Sequence, residues 1–227
     1  LLDNTWKDFV RGGALLPKQG KERFRAINSE LASLSVKFGD NLLKETNGYR
    51  LLVGKKKDLA GLPDRVVSGA AEAAKKAGLE GKWLFTLRAP SLWPFLQGAD
   101  NRKLRRQIFT AYITRGDHGN QADNKATLAR GAALRAERAA LLGYKTHADF
   151  VLDENMAKTP ARVYEFLDRL WKPAKVVAGR EAADLQAAIK ADGKDFTLEP
   201  WDWFYYAEKV RKARYDLDEQ ALRPYFK

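Results

Sequence analysis

An all-α architecture is predicted for this chain: a multi-helix array with at most a small two-stranded β-ribbon. Three observations predict it. Apolar residues recur every three or four positions over most of the sequence, which places them on one face of a helix. Only Tyr49–Val53 and Lys82–Leu87 read as β-prone runs. Proline and glycine stand where helices start and stop rather than between alternating strands.

The first strong pattern is Phe24, Ile27, Leu31, Leu34, Phe38 and Leu42, on one face of a helix from about Pro17 to Thr46. Pro17 suits its first turn and Asn47-Gly48 its stop. A second helix starts at Gly61-Leu62-Pro63, is rich in alanine and ends near Gly78. Lys82–Leu87 is expected to pair with Tyr49–Val53 as the ribbon. Ala89-Pro90-Ser91 opens a short helix carrying Trp93, Phe95 and Leu96. Asn101–Thr114 is a helix with Leu104, Ile108, Ala111 and Tyr112 inward and its arginines mostly outward. Gly116–Asn120 reads as a polar turn, and Asp123–Leu142 as an alanine-rich helix stopped at Gly143.

Thr159-Pro160 is a helix start, with threonine as cap and proline at the first helical position. That helix runs through Val163, Phe166, Leu167, Leu170, Ala174 and Val177 towards Ile189. Pro173 inside it removes a donor and crowds the preceding turn, so a kink is expected. Gly193 ends it. Glu199-Pro200-Trp201 starts a helix whose dense face is Trp201, Phe204, Tyr205 and Ala207, and Leu217–Leu222 reads as a short capped one. No repeat or linker is evident. One domain over 1–227 is expected, with a soft seam near 54–61.

Composition narrows the function. The 227 residues are 45% hydrophobic and 31% charged, as in ordinary globular proteins. No apolar run reaches the roughly 20 residues that cross a bilayer, so no membrane partner is expected; the compartment, cytoplasmic or periplasmic, stays open. The absence of cysteine excludes thiolate nucleophiles, disulfides and Cys-held zinc. The net charge of +12 can attract nucleic acid, but the basic residues are spread along helical faces. Only short runs occur, Lys55-Lys56-Lys57 and Arg102-Lys103-Leu104-Arg105-Arg106, so no specific nucleic-acid partner is expected.

Catalytic constellations are not found. His118 lies in a turn composition and His147 at a helix start, neither with a second histidine at helical spacing. Asp216, Asp218 and Glu219 lack the glycine and spacing of a calcium loop. Val67-Ser68-Gly69 lacks the first glycine of a nucleophile elbow, and Gly54-Lys55 and Gly81-Lys82 fail as phosphate loops. The expectation is no catalytic, cofactor-binding or metal-binding residue in this chain, with any substrate-binding residue unknown. Trp201 and Tyr205, one turn apart, are read as core. Trp203 stays open as a surface or interface residue.

Several blocks carry a resemblance. They are the stretch Trp83–Gly116, the segment Lys37–Asn47, the stretches Asp123–Lys125, Leu134–Ala139 and Leu141–Tyr144, then Asn155-Met156-Ala157-Lys158-Thr159-Pro160, Trp201-Asp202-Trp203-Phe204-Tyr205-Tyr206 and Leu222-Arg223-Pro224-Tyr225-Phe226. In this order they resemble the thimet oligopeptidase-like zinc metallopeptidases, and among them the bacterial peptidyl-dipeptidases. The resemblance implies a neurolysin-like helical body divided by a channel. It also implies zinc held by a His-Glu-x-x-His helix further along the polypeptide. Neither histidine here is followed by glutamate, so no catalytic or metal residue carries over.

The expected function is therefore a non-catalytic helical fragment of a zinc-dependent peptidyl-dipeptidase or oligopeptidase, walling the channel for short peptides. Its implied partner is the missing catalytic half, and zinc belongs to the full-length parent. The start Leu1-Leu2-Asp3 without methionine, and an ending at Arg223-Pro224-Tyr225-Phe226-Lys227, are read in the same sense. An apolar surface near Tyr225 and Phe226, including parts of neighbouring helices, is expected where that half would cover it. The alternative is a self-standing basic helical module for an acidic or nucleic-acid partner.

Overall fold

The computed structural model describes residues 2–215 and Tyr225. The expected helix at Leu217–Leu222, the acidic cluster of Asp216, Asp218 and Glu219, and Phe226 lie outside the described residues. Among the described residues there are nine α-helices, a short 3-10 helix at Lys56–Leu59 and one two-stranded antiparallel sheet. The helices are α1 Leu2–Arg11, α2 Lys18–Gly48, α3 Asp64–Lys76, α4 Ala89–Gly98, α5 Arg102–Ile113, α6 Lys125–Leu141, α7 His147–Leu152, α8 Pro160–Ala191 and α9 Pro200–Tyr215. The strands are β1 Leu51–Val53 and β2 Trp83–Phe85, with Leu51 opposite Phe85 and Val53 opposite Trp83. The predicted fold class and the ribbon pairing both stand.

The chain forms two compact units, Leu1–Leu43 with Gly116–Pro173, and Lys44–Arg115 with Ala174–Lys227. In the first unit α1, which periodicity does not single out, is anchored through Arg11 in its last turn. Its Arg11 ion-pairs with Asp153 at 3.4 Å and Glu154 at 3.0 Å. The Arg11 guanidinium also lies 4.2 Å from the centroid of the Phe150 ring, a cation–π contact. The stripe Leu2, Trp6 and Phe9 of α1 stays exposed. Helix α2 buries Phe24 and Ile27, and α6 buries Leu134 and Ala139. Farther along the predicted α2 face, Leu31, Leu34, Phe38 and Leu42 are only half-buried. Two bidentate pairs tie α2 to α6: Arg23 to Glu137 at 2.5 and 2.6 Å, and Arg130 to Glu30 at 2.6 and 2.8 Å. Exposed as they are, they set register more than stability.

The turn before α6 is held by side chains. Asn124 is buried; its amide donates to the Phe38 carbonyl and its carbonyl oxygen accepts from the Asn41 amide. Asp123 accepts from the backbone N–H groups of Gly119 at 2.7 Å and Lys125 at 2.9 Å, and pairs with the Lys125 ammonium. The Lys125 side chain first, and these two N–H groups next, hold the Asp123 carboxyl at about 2, against an ordinary 3.8. The folded value is depressed, so the turn has its full support above the ordinary value and loses it as pH falls through about 2. The Gly119 amide resonance is therefore expected to titrate with a midpoint near 2. A midpoint at the ordinary aspartate value would show that the three contacts do not hold in solution.

The second unit has a dense core. Leu51, Val53, Phe85, Leu92, Phe95, Leu96 and Ile108 are buried together, with the Phe85 and Phe95 rings 4.5 Å apart. Trp93 packs on Tyr112 at 5.4 Å and on Phe204 at 5.1 Å, so the aromatic-rich α4 sits on α5 and α9. A smaller cluster holds Leu185 and Ile189 of α8 against Tyr205 and Tyr206 of α9. The caps follow the expected chemistry. Asn101 accepts from the N–H groups of Lys103 and Leu104, and Thr159 from that of Arg162. Helix α8 contains Pro173 within its length.

Candidate functional site

The histidines are not brought together into a site. His147 is the first residue of α7, with its ring stacked on Phe150 at 6.2 Å. Burial, then the charges of Arg138 and Arg135, pushes its pKa below the ordinary histidine value. Its Nδ1 is buried without a hydrogen-bond partner, as is the Nε of Arg138. His118 lies in the turn before α6. Among the described residues no group of three or more His, Asp or Glu side chains could hold a metal ion. The described side chains thus do not fit a zinc site, and no zinc chemistry is assigned to them.

The most highly organised polar cluster lies in the second unit, at the start of α9. Glu199 precedes the helix, Pro200 opens it, and Asp202 is its third residue. From there the Asp202 carboxylate reaches back to accept from the Glu199 N–H at 3.2 Å, one half of a capping box. The same carboxylate meets two arginines of α5. Arg102 donates from Nε and Nη2 to both Asp202 oxygens, at 2.8 to 3.0 Å. Arg105 donates from Nη2 at 2.9 Å.

Burial makes this cluster unusual. Asp202 is 0% exposed and Arg105 1%, the largest fully buried side chain among the described residues. Arg105 therefore has to find acceptors for its remaining donors. It uses the carbonyls of Ala99 at 2.7 Å and Asp100 at 3.2 Å, at the end of α4, and that of Trp201 at 3.4 Å. Aromatic rings close the faces: Phe196 lies 3.8 Å from the Arg102 guanidinium and Tyr205 lies 4.0 Å from that of Arg105. The Tyr205 hydroxyl donates to Asp100 at 2.8 Å. Burial first, and then Asp100, raises the Tyr205 pKa.

The expectation that the arginines of this segment point mostly outward fails at Arg102 and Arg105. The physical reason is the carboxylate that α9 delivers roughly a hundred positions later. Local periodicity sees two charges one turn apart and reads a solvated face; it contains no trace of Asp202. The cluster binds α4, α5 and α9 to one another and is sealed from solvent at Asp202. It fixes the geometry of the three helices through Asp202 and Arg105, both out of reach of solvent.

Tyr205 is core, as read, and Trp201 is half-buried under Arg106, whose guanidinium lies 4.9 Å from its ring. Trp203 settles differently. With Leu185, Ala207 and Val210 it lines an open groove of about 250 Å³, rimmed by the Arg214–Asp184 pair at 2.6 Å. Glu181, Arg211 and Tyr215 complete its lining.

Large apolar side chains of α8 are also uncovered. Phe166, Leu167, Leu170, Trp171 and Val177 are all exposed, as are Tyr164 and Val176. Tyr225 is exposed as well.

Comparison with known proteins gives this helical scaffold its family. The sequence pattern of Peptidase family M3 matches residues 95–227. The chain belongs to peptidase family M3. It is 36% identical to dipeptidyl carboxypeptidase of Escherichia coli over 226 residues, which is 100% of the chain and 33% of that protein. It is also 36% identical to oligopeptidase A of the same bacterium, over 99% of the chain and 34% of that protein. A probable cytosolic oligopeptidase A of Arabidopsis thaliana matches at 36% over the whole chain. The chain thus spans about a third of the length of the curated relatives it matches. The M3 match runs through α5 and α9, so the buried arginine–aspartate cluster belongs to the matched region.

Proposed function

We propose that this chain is a non-catalytic helical portion of a zinc-dependent peptidyl-dipeptidase or oligopeptidase, helping to wall the channel that admits short peptides. One observation carries the reading. The chain aligns end to end with peptidases three times its length, yet its described residues supply no donor set for a metal. The chemistry then resides in the polypeptide outside this third, with zinc held there. Removal of dipeptides from C-termini is proposed from the name of one relative, and internal cleavage of short peptides from that of another.

The basic-module alternative rests on the +12 charge. Five of the 41 basic residues, Arg11, Arg23, Arg102, Arg105 and Arg130, pair with carboxylates of the same chain, and the net charge of +12 is left to the others. Cations held this way are poorly placed to follow a phosphate backbone. No helix among the described residues is long and apolar enough to cross a membrane.

The test compares the 227-residue chain with the full-length polypeptide containing it. After dialysis the chain alone is expected to retain no stoichiometric zinc and to leave fluorogenic peptides uncut. The longer polypeptide should hold zinc and release short products in a chelator-sensitive way. A 227-residue chain with tightly bound zinc and chelator-sensitive cleavage would overturn the reading.

A further inference from the structure

Helix α8 carries an apolar stripe in each unit. Downstream, in the second unit, Leu185 and Ile189 are buried against Tyr205 and Tyr206 of α9. Upstream, in the first unit, Phe166, Leu167, Leu170 and Trp171 also lie at helical spacing, and all are exposed; Trp171 is 63% exposed and Phe166 58%. Leaving so many large apolar groups in water on one helix face is costly, since each gains on the order of 1.5–3 kcal/mol from full burial. Contiguous patches of this kind mark interaction sites, and aromatic anchors such as these dominate binding energy.

The flanks say what kind of surface would fit. Arg162, Arg169 and Lys172 outnumber Glu165 and Asp168 along the same segment, and all five are exposed. A second copy of this chain would bring two such basic margins together, with +12 on each molecule. A complementary partner instead presents an apolar strip with carboxylates beside it.

We infer that the upstream face of α8 is the seat of the remaining peptidase polypeptide, which docks on it through an apolar strip edged by acidic residues. The inference rests on the reading that this chain is one part of a longer M3 enzyme. The chain spans about a third of its relatives, so the polypeptide available to cover the stripe is about twice the size of the chain itself.

The absence of cysteine from this sequence makes thiol labelling a direct test. Leu170→Cys places a thiol on the stripe, and Lys172→Cys places one on the charged side of the same turns. Both positions are exposed, so neither change should disturb folding. In the 227-residue chain both thiols should react with a maleimide at similar rates. In the full-length polypeptide, followed by peptide mass spectrometry, the Leu170→Cys thiol should slow roughly tenfold or more while Lys172→Cys should not. Equal rates in a full-length polypeptide that still cleaves peptides would overturn the docking seat and leave the peptidase reading standing. Concentration-dependent protection of Leu170→Cys in the chain alone would assign the stripe to a second copy and also overturn it. A full-length polypeptide without peptidase activity would remove the proposed function itself.

Discussion

Asp202→Ala is expected to destabilise the second unit by about 3–5 kcal/mol, the range seen when one partner of a buried ion pair is removed. The cost does not come equally from the two arginines. Arg102 is 34% exposed and can turn its guanidinium to water. Arg105 is 1% exposed and cannot. Without Asp202 its charge is left with only carbonyl acceptors, from Ala99, Asp100 and Trp201. The start of α9 also loses the carboxylate that accepts from the Glu199 N–H. Asp202→Asn, which keeps one acceptor oxygen, should cost less.

A double variant separates ion pairing from packing. Replacing a buried pair by apolar residues of similar volume is often neutral or favourable. Arg105→Met with Asp202→Leu should therefore be distinctly more stable than Asp202→Ala alone, although it carries one more substitution. Urea unfolding measures this, with the midpoint moving and the slope held. A double variant as unstable as Asp202→Ala would mean that the cluster is irreplaceable for its geometry and not for its charge balance.

The features that were legible in the sequence are those set by near neighbours. The helix over Asn101–Thr114, the threonine–proline start of α8 and the two-stranded ribbon each depend on a few adjacent residues, and each is found. The apolar period of α2 was legible too, and its inward face at Phe24 and Ile27 is real. What periodicity cannot supply is the identity of the covering surface. The same 3.6-residue spacing on α8 is core at Leu185 and bare at Leu170. The buried cluster was illegible for a related reason. Arg105 and Asp202 are 97 positions apart, and only the packing of α5 on α9 makes one the partner of the other. The family resemblance was legible because it depends on ordered blocks of residues, which need no knowledge of who covers whom.

Gly61→Ala is expected to be the most damaging single methyl addition in the second unit, at about 3 kcal/mol or more, at the upper end of the usual range for point changes. Two separate effects combine there. Gly61 has φ of +82°, a left-handed conformation that costs an L-residue roughly 1–2 kcal/mol. An added Cβ would also sit 2.2 Å from the Gly98 carbonyl oxygen and 2.4 Å from an Asp100 carboxylate oxygen. The first contact is with backbone at the end of α4, which cannot swing aside. Relief requires the 60–62 loop to part from α4, at the expense of the Asp100 N–H bond to the Ala60 carbonyl, 2.9 Å long. Asp100 is also the acceptor of the Tyr205 hydroxyl, so the disturbance reaches α9. Gly81→Ala provides the control: φ there is +76°, and nothing lies within 4 Å of an added Cβ. That variant should pay the conformational cost alone, about 1–2 kcal/mol. The gap between their urea midpoints isolates the steric contact, and equal losses would show that the loop yields to the methyl group and that the close approach of Gly61 to Gly98 contributes no stability.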